Sequence, residues 1–235
     1  MTRTINPEPG RGGRERPILF SSPMVRAILD GTKTQTRRIL KPKHDYFVED
    51  GRAYFEPYVY GEPESIEVPC PYGQAGDRLW VREAWGLHAF GDETDWERGS
   101  VSVCTEDEIR GQYKLTHRAS WGPLQESCFW RPAIHMPRWA SRITLKVISV
   151  RVERLHEITE EDARAEGVEP RITTRKIYPS AQAADVEHRS YRDAFAELWR
   201  EINGADSWNA NPWVWRVEFK RVARADEQPA QKGRP

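Results

Sequence analysis

The chain has 235 residues, and its 36 lysines and arginines are balanced by 36 aspartates and glutamates. A net charge of zero gives no bulk attraction to polyanions, so any nucleic-acid site must be a local basic patch. The three cysteines are odd in number and widely spaced, which argues against a disulfide framework and favours a reducing, cytoplasmic setting. No apolar run reaches membrane-spanning length, so we expect no membrane segment.

The ends of the chain differ in composition from its middle. Residues 1–16 hold four arginines with Pro and Gly and almost nothing apolar, which predicts a disordered basic arm. Residues 223–235 are polar and contain proline, which predicts a disordered tail. We therefore expect one domain over residues 17–222.

The stretch 22–40 predicts a short helix, a stop and a polar strand. Ser22 suits the N-cap, and Pro23 suits the first helical position. Gly31 suits the position after the helix end, where positive φ is common. A strand then runs towards Pro42, and one of its faces carries Thr34, Thr36 and Arg38.

The middle of the chain alternates strand signals with loops. Asp50-Gly51 predicts a hairpin turn, and residues 78–85 predict a strand. Residues 86–141 are irregular, with weak strand signals near 100–104 and 112–118. Within them, residues 130–139 mix aromatic residues, arginines and prolines, which predicts an ordered binding loop without regular structure.

Residues 142–154 give the longest strand signal. Their apolar positions change parity at Ile148, which predicts a bulge or bend. A helix is then expected from the N-cap Thr159 to Gly167, a loop over 169–184, a helix over 186–202 and a last strand over 213–219. Strands separated by short helices favour an α+β domain built on a small β-barrel with flanking short helices and long inserted loops.

Four motifs in this order resemble the ASCH family, whose fold is a PUA-like β-barrel linked to RNA and modified nucleosides. They are Gly31-x-Lys33-x-x-Thr36-x-Arg38, Gly76-Asp77-x-Leu79-x-Val81, Leu155-x-x-Ile158-Thr159-x-x-x-Ala163-x-x-Glu166-Gly167 and Trp215-x-Val217-x-Phe219-Lys220. The resemblance covers most of residues 17–222 and leaves insertions near 43–75 and 88–136. The longer pattern also resembles ASCH-type proteins of phages and prophages.

The resemblance implies chemistry at three residues. A small bacterial ASCH enzyme is an N(4)-acetylcytidine amidohydrolase that uses a lysine, a threonine and a glutamate. By motif these fall on Lys33, Thr36 and Glu166, and the motif arginine falls on Arg38. The family often has an acidic or aliphatic residue inside the first motif, where this chain has Gln35 and Arg37.

Lys33 and Thr36 converge only if the lysine lies in the turn before the strand, since three residues along a strand put side chains on opposite faces. A neutral Lys33 would then take the proton of the Thr36 hydroxyl, which attacks the amide carbonyl. Glu166 would orient the lysine or donate a proton to the leaving amine. The alternative is an ordinary turn lysine, a strand threonine and a surface glutamate.

Further side chains are candidates for substrate binding. Glu83 interrupts an apolar strand face, so it either balances Lys33 or Arg38, reads a base amino group, or lies exposed. The candidates for a phosphate patch are arginines 37, 38, 82, 138 and 142. The candidates for base stacking are tryptophans 85, 121, 130 and 139. Most tryptophans, however, are expected in the core. The substrate-binding candidates are Arg38, Glu83, Trp85, His135, Arg138 and Trp139.

No metal or cofactor is expected. Cys104, His117, Cys128 and His135 lack the paired spacing of a structural zinc site. The expected partner is a modified nucleoside or RNA. The leading hypothesis is hydrolysis of an acyl amide on a cytidine-like base. The alternatives are a binding module without turnover and a single-strand ribonuclease.

Overall fold

A computed structural model describes residues 13–41, 45–56, 65–89, 113–120, 129–170, 172–175, 185–188 and 190–222. The predicted tail, residues 1–12 of the predicted arm and the strand predicted near 100–104 lie outside these ranges. The described chain is a mixed α+β structure with several sheets and few helices.

The strands are labelled in chain order. They are β1 (Glu15–Leu19), β2 (Gln35–Ile39), β3 (Phe47–Glu49), β4 (Arg52–Phe55), β5 (Ile66–Glu67), β6 (Arg78–Arg82), β7 (Trp85–Ala89), β8 (Tyr113–His117), β9 (Phe129–Arg131), β10 (Thr144–Arg154), β11 (Ile172–Arg175), β12 (Asp185–His188) and β13 (Trp213–Val222). The α-helices are α1 (Ser22–Leu29), α2 (Glu160–Ala165) and α3 (Tyr191–Asn203).

The central sheet has five strands in the order β1-β6-β10-β13-β2. β1 runs parallel to β6, and the other neighbours are antiparallel. The edge strands β1 and β2 are joined by α1 and do not pair with each other. Instead, Arg38 Nη2 donates to the carbonyl of Leu19 at 2.7 Å, and the rings of Phe20 and Phe219 lie 6.1 Å apart. One side-chain hydrogen bond therefore links the two edge strands.

Three smaller sheets accompany the central one. β3, β4 and β5 form one, β8, β7 and β9 form another, and β11 pairs with β12. The predicted hairpin is confirmed, because Asp50 and Gly51 both have positive φ (48° and 72°) between β3 and β4. The two larger of these sheets arise from the predicted insertions near 43–75 and 88–136. The segment 130–139 consists of the end of β9 and two single 3₁₀ turns.

The predicted bulge in the longest strand is confirmed. The register of β10 against β13 shifts between Val147 and Ser149, so Ile148 is the extra residue. Val147 is 1% exposed and Ile148 is 46% exposed. The bulge returns Val152 to the apolar face, which explains the parity change in the sequence.

Two predicted helices are confirmed and one begins later than expected. α1 is capped at Ser21 rather than Ser22, and Gly31 follows it with φ 79°. In α2 the N-cap Thr159 accepts a hydrogen bond from the backbone N–H of Asp162. The helix predicted from residue 186 starts at Tyr191, because residues 185–188 pair with β11 inside the predicted loop.

Two further boundaries differ from the prediction. β1 begins at Glu15, inside the predicted arm, because Glu15 and Arg16 pair with the first residues of β6. The strand predicted over 78–85 divides at Glu83 into β6 and β7, which belong to different sheets. Glu83 lies between these two strands and is buried.

The central sheet separates two apolar clusters. One face packs a core that includes Ile18, Leu79, Leu145 and Val217. On the other face, α3 packs Phe195 and Trp199 against a second cluster with Leu155 and Val214. Between α2 and β2, that second face also carries a layer of buried charges. None of the helices in the described ranges has the length and apolar character needed to cross a membrane.

Candidate active site

Lys33 lies in the turn before β2, as the proposed chemistry requires. Its backbone N–H donates to the carbonyl of Ala27 at 3.0 Å, and the neighbouring N–H of Thr34 donates to Ala165 at 2.8 Å. An isolated antiparallel bridge joins Lys33 to Glu166. The turn after α1 and the end of α2 therefore meet at these two residues.

Gly167 makes this close approach possible. Its φ is 76°, and a Cβ added there would lie 2.8 Å from the Cβ atoms of both Lys33 and Ala27. Only glycine adopts this conformation readily and also leaves room for α1 and the Lys33 turn. The glycine predicted as a helix stop thus also sets the distance between α2 and Lys33.

The side chains of Lys33 and Glu166 form a buried ion pair. Lys33 Nζ donates to Glu166 Oε2 and to the Glu166 carbonyl, each at 2.8 Å. The lysine side chain is 0% exposed and the glutamate side chain 4% exposed. A carboxylate at a helix C-terminus opposes the helix dipole, and the ammonium of Lys33 offsets that cost here.

Burial lowers the pKa of Lys33 below its ordinary value, because the ammonium has left water. The carboxylate of Glu166 opposes this shift, while the charges of Arg38 and Arg37 add to it. The lysine gives up its proton more readily than one in water.

Arg37 is the residue that interpretation of the sequence placed wrongly. It was a candidate for a phosphate patch, but its side chain is 0% exposed. Its Nη1 donates to Glu166 Oε1 at 3.2 Å, its Nε to Glu153 Oε1 at 2.8 Å and its Nη2 to Asp162 Oδ2 at 3.0 Å. Since its partners are more than 100 residues away in sequence, spacing gave no signal for this role.

The charge layer is balanced. Arg216 bonds Asp162 at 2.8 Å and Gln35 at 2.8 Å, and Arg151 bonds Glu153 at 2.9 Å. Four cations meet four carboxylates in this layer: Lys33, Arg37, Arg151 and Arg216 with Glu153, Asp162, Glu166 and Glu218. Pairing of this kind offsets the cost of taking the buried members, such as Lys33 and Arg37, out of water. Arg151, by contrast, is 53% exposed.

Thr36 lies close in sequence but is not bonded to the ion pair. It is 3% exposed and lies opposite Val217, so its side chain is on the apolar face of the sheet. Among the described residues its hydroxyl has no hydrogen-bond partner. Lys33 Nζ lies 5.6 Å from the centre of the Phe20 ring, which packs on Phe219 on that same face.

Arg38 is on the Thr36 face as well. Its guanidinium lies 5.4 Å from the centre of the Phe20 ring. The same guanidinium donates the hydrogen bond to the Leu19 carbonyl. Phe20 therefore has the cations of both Lys33 and Arg38 against its ring. The structure thus brings Lys33 and Glu166 into contact, and the Phe20 ring lies near both Lys33 and Arg38. Among the described residues no hydrogen bond or ion pair joins Thr36 to this group.

Glu83 is buried with a different partner from the two expected. It is 1% exposed, and Arg142 holds both of its oxygens at 2.9 and 3.0 Å. The expectation that it balances Lys33 or Arg38 is wrong. The reason is strand pairing, because Val81 bonds the carbonyl of Ile143 and so places Glu83 beside Arg142. Arg142 is likewise engaged there rather than in a phosphate patch.

The remaining substrate-binding candidates lie near one another but apart from the ion pair. Trp85 is 3% exposed and makes an edge contact with Trp139 at 6.0 Å. Arg138 is exposed and bonds both oxygens of Glu15, at 2.7 and 2.8 Å, while His135 is exposed on a 3₁₀ turn. In the described part of the chain none of them has a hydrogen bond, ion pair or ring contact with Lys33 or Glu166.

A search for metal-binding groups finds no set of three His, Cys, Asp or Glu side chains that could hold an ion within the described ranges. Comparison with protein-family models finds no match to the chain. Comparisons with curated proteins and with solved structures find no match either.

The Gly167→Ala substitution tests the close approach of α2 to Lys33. We expect it to lower the free energy of unfolding by more than the about 1 kcal/mol that positive φ alone costs a residue with a side chain. Gly31→Ala is the matched control, since Gly31 has a similar φ of 79° but nothing within 4 Å of an added Cβ. Equal losses in chemical denaturation would contradict the assigned contact.

Acid titration tests the charge layer at Asp162. Burial alone would raise its pKa, but Arg37, Gln35 and Arg216 together lower it below the ordinary 3.8. The carboxylate therefore stabilises the fold above pH 3.8 and loses this contribution as the pH falls through its lower, folded pKa.

We expect the stability difference between the native chain and Asp162→Asn to be constant above pH 5 and to shrink below 3.8. Denaturant unfolding at a series of pH values measures it. Asp30→Asn, at an exposed turn position, is the control for removing an aspartate. A difference that stays unchanged down to pH 2 would contradict the assigned pairing.

Proposed function

We propose that the chain is a hydrolase of the ASCH type that removes an acyl group from N(4)-acetylcytidine or a related modified base. The observation that carries this proposal is the buried pair of Lys33 and Glu166, at 2.8 Å. Thr36 lies three residues after Lys33 on the apolar face of β2, and its hydroxyl has no hydrogen-bond partner among the described residues. The edge-joined five-stranded sheet supports the further proposal of a PUA-like barrel.

In the proposed reaction, neutral Lys33 accepts the proton of the Thr36 hydroxyl while Thr36 Oγ bonds to the acyl carbon. The carbon–nitrogen bond then breaks, and the proton passes to the exocyclic amine of the base. Water hydrolyses the acyl–threonine ester, which releases acetate and restores the hydroxyl. Glu166 keeps Lys33 oriented through its Oε2.

Burial supports the role of Lys33 as a base. A lysine with its ordinary pKa is almost fully protonated at neutral pH and cannot accept a proton, so desolvation is a means of activating it. Thr36 and Lys33 are not hydrogen-bonded in the free protein. Catalytic hydrogen bonds often tighten only when substrate is bound, so this geometry is compatible with the reaction.

A binding function without turnover is favoured by a separate observation. Arg82 and Arg138 lie 4.7 and 5.8 Å from the Trp80 ring centre, and Arg118 lies 4.9 Å from that of Trp130. Surfaces that bind single-stranded nucleic acid combine positive charge with aromatic rings, and arginine adds cation–π contacts there. On this alternative the chain binds RNA or a modified base and leaves it intact.

Release of acetate and cytidine from N(4)-acetylcytidine tests the reaction. We expect Thr36→Val to reduce turnover by about 10³-fold or more, because it removes the nucleophile. Valine has nearly the same shape and lies on an apolar face, so the variant should fold. Lys33→Ala should also abolish turnover, and Lys220→Ala, at an exposed lysine of β13, should not.

Two results would reject the hydrolase. One is full activity of Thr36→Val, which would exclude it as the nucleophile. The other is an intact nucleoside after incubation with native protein that shifts RNA in a gel, which would establish the binding function.

A further inference from the structure

A depression of about 220 Å³ lies at the free edge of β2. Its lining includes Arg38 and Ile39 from the strand, Lys41 after it, Tyr72 from the loop before β6, and Trp199 and Asn203 from α3. It therefore lies along the outer edge of β2, the last strand of the central sheet among the described residues.

The cations of this depression are not neutralised. Arg38 donates to a backbone carbonyl, and neither it nor Lys41 has a carboxylate partner in the part of the chain that the structure describes. By contrast, Arg37, which also borders the depression, is held by three carboxylates. Two positive charges thus face a space whose lining, within the described ranges, includes no carboxylate.

The other polar groups there are mainly donors. Trp199 is 4% exposed, and its buried Nε1–H has no acceptor among the residues that the structure describes. Burial raises the pKa of Tyr72, with Arg38 opposing, so its hydroxyl keeps its proton at neutral pH. The depression is therefore bordered by an indole N–H, a phenol and two cations without a carboxylate partner among the described residues. Such groups suit a ligand with anionic oxygens.

We infer that this depression binds a phosphate group of a nucleotide or oligonucleotide. Arg38 and Lys41 supply its charge, and Tyr72 and Trp199 border it. Phosphate binding depends on these residues alone. That the phosphate belongs to the substrate rests on the proposed function, in which Thr36 reacts. Arg38 lies two residues from Thr36 on the same strand face, about 7 Å along β2.

Calorimetric binding of unacylated ligands tests the inference without any turnover. The ligands are cytidine, cytidine 5′-monophosphate and a short oligocytidylate, none of which has an amide to hydrolyse. We expect both phosphorylated ligands to bind more tightly than cytidine, with affinity that falls as salt is added. Lys41→Gln should weaken both by about three- to fivefold and leave cytidine unchanged.

The matched control is Lys220→Gln, at an exposed lysine of β13 outside the depression, which should leave all three affinities unchanged.

Tighter binding of the oligocytidylate than of the mononucleotide would identify a strand backbone as the source of the phosphate, and equal binding would identify a free nucleotide. Equal affinity of native protein for cytidine and both phosphorylated ligands would overturn the inference. So would equal losses in the Lys41 and Lys220 variants. Because no step of this test needs catalysis, its failure is separate from failure of the hydrolase.

Discussion

The carboxylate of Glu166 is shared between two cations, and this sharing connects the parts of the domain. One oxygen accepts from Lys33 and the other from Arg37. Lys33 belongs to the turn after α1. Arg37 belongs to β2, on the face opposite to that of Thr36. One carboxylate at the end of α2 therefore holds both the turn and the strand in place. An unpaired charge at this depth would cost several kcal/mol, which makes the three residues mutually dependent.

This dependence explains why a strand so rich in polar residues is an edge of the central sheet. The Thr36 face of β2 lies against the apolar core, while the face with Gln35 and Arg37 lies against the charge layer. Both faces are covered there, so Gln35, Thr36 and Arg37 are buried, whereas Arg38 and Ile39 are only partly buried. The same arrangement leaves the outer edge of β2 open beside Arg38 and Lys41.

Local signals predicted most of the secondary structure. Capping at Thr159, the glycine stops and the parity change at Ile148 each depend on a few neighbouring residues, and each is confirmed. The start of α3 was predicted too early because Val186 extends its apolar pattern although the residue belongs to a β-ribbon. Pairing between distant strands, such as that of β1 with β6, was not encoded in local periodicity.

The candidate site was predictable only in part, for the same reason. The motif pointed to Lys33 and Glu166. These residues are 133 positions apart in sequence, and their side chains lie 2.8 Å apart in the structure. The partners of Arg37 and Glu83 lie on distant strands, and no spacing rule indicates them. A sequence shows which residues carry charge, but the fold decides which charges are buried together.

The central claim is that burial prepares Lys33 to act as a base, and nitrogen-detected NMR of the lysine ammonium tests it most directly. Lys33→Met assigns the resonance. We predict that Lys33 titrates below the ordinary 10.5, and lower still in Glu166→Gln, because that substitution removes the carboxylate that favours the ammonium. A Lys33 pKa at or above 10.5, or one that Glu166→Gln leaves unchanged, would contradict the account.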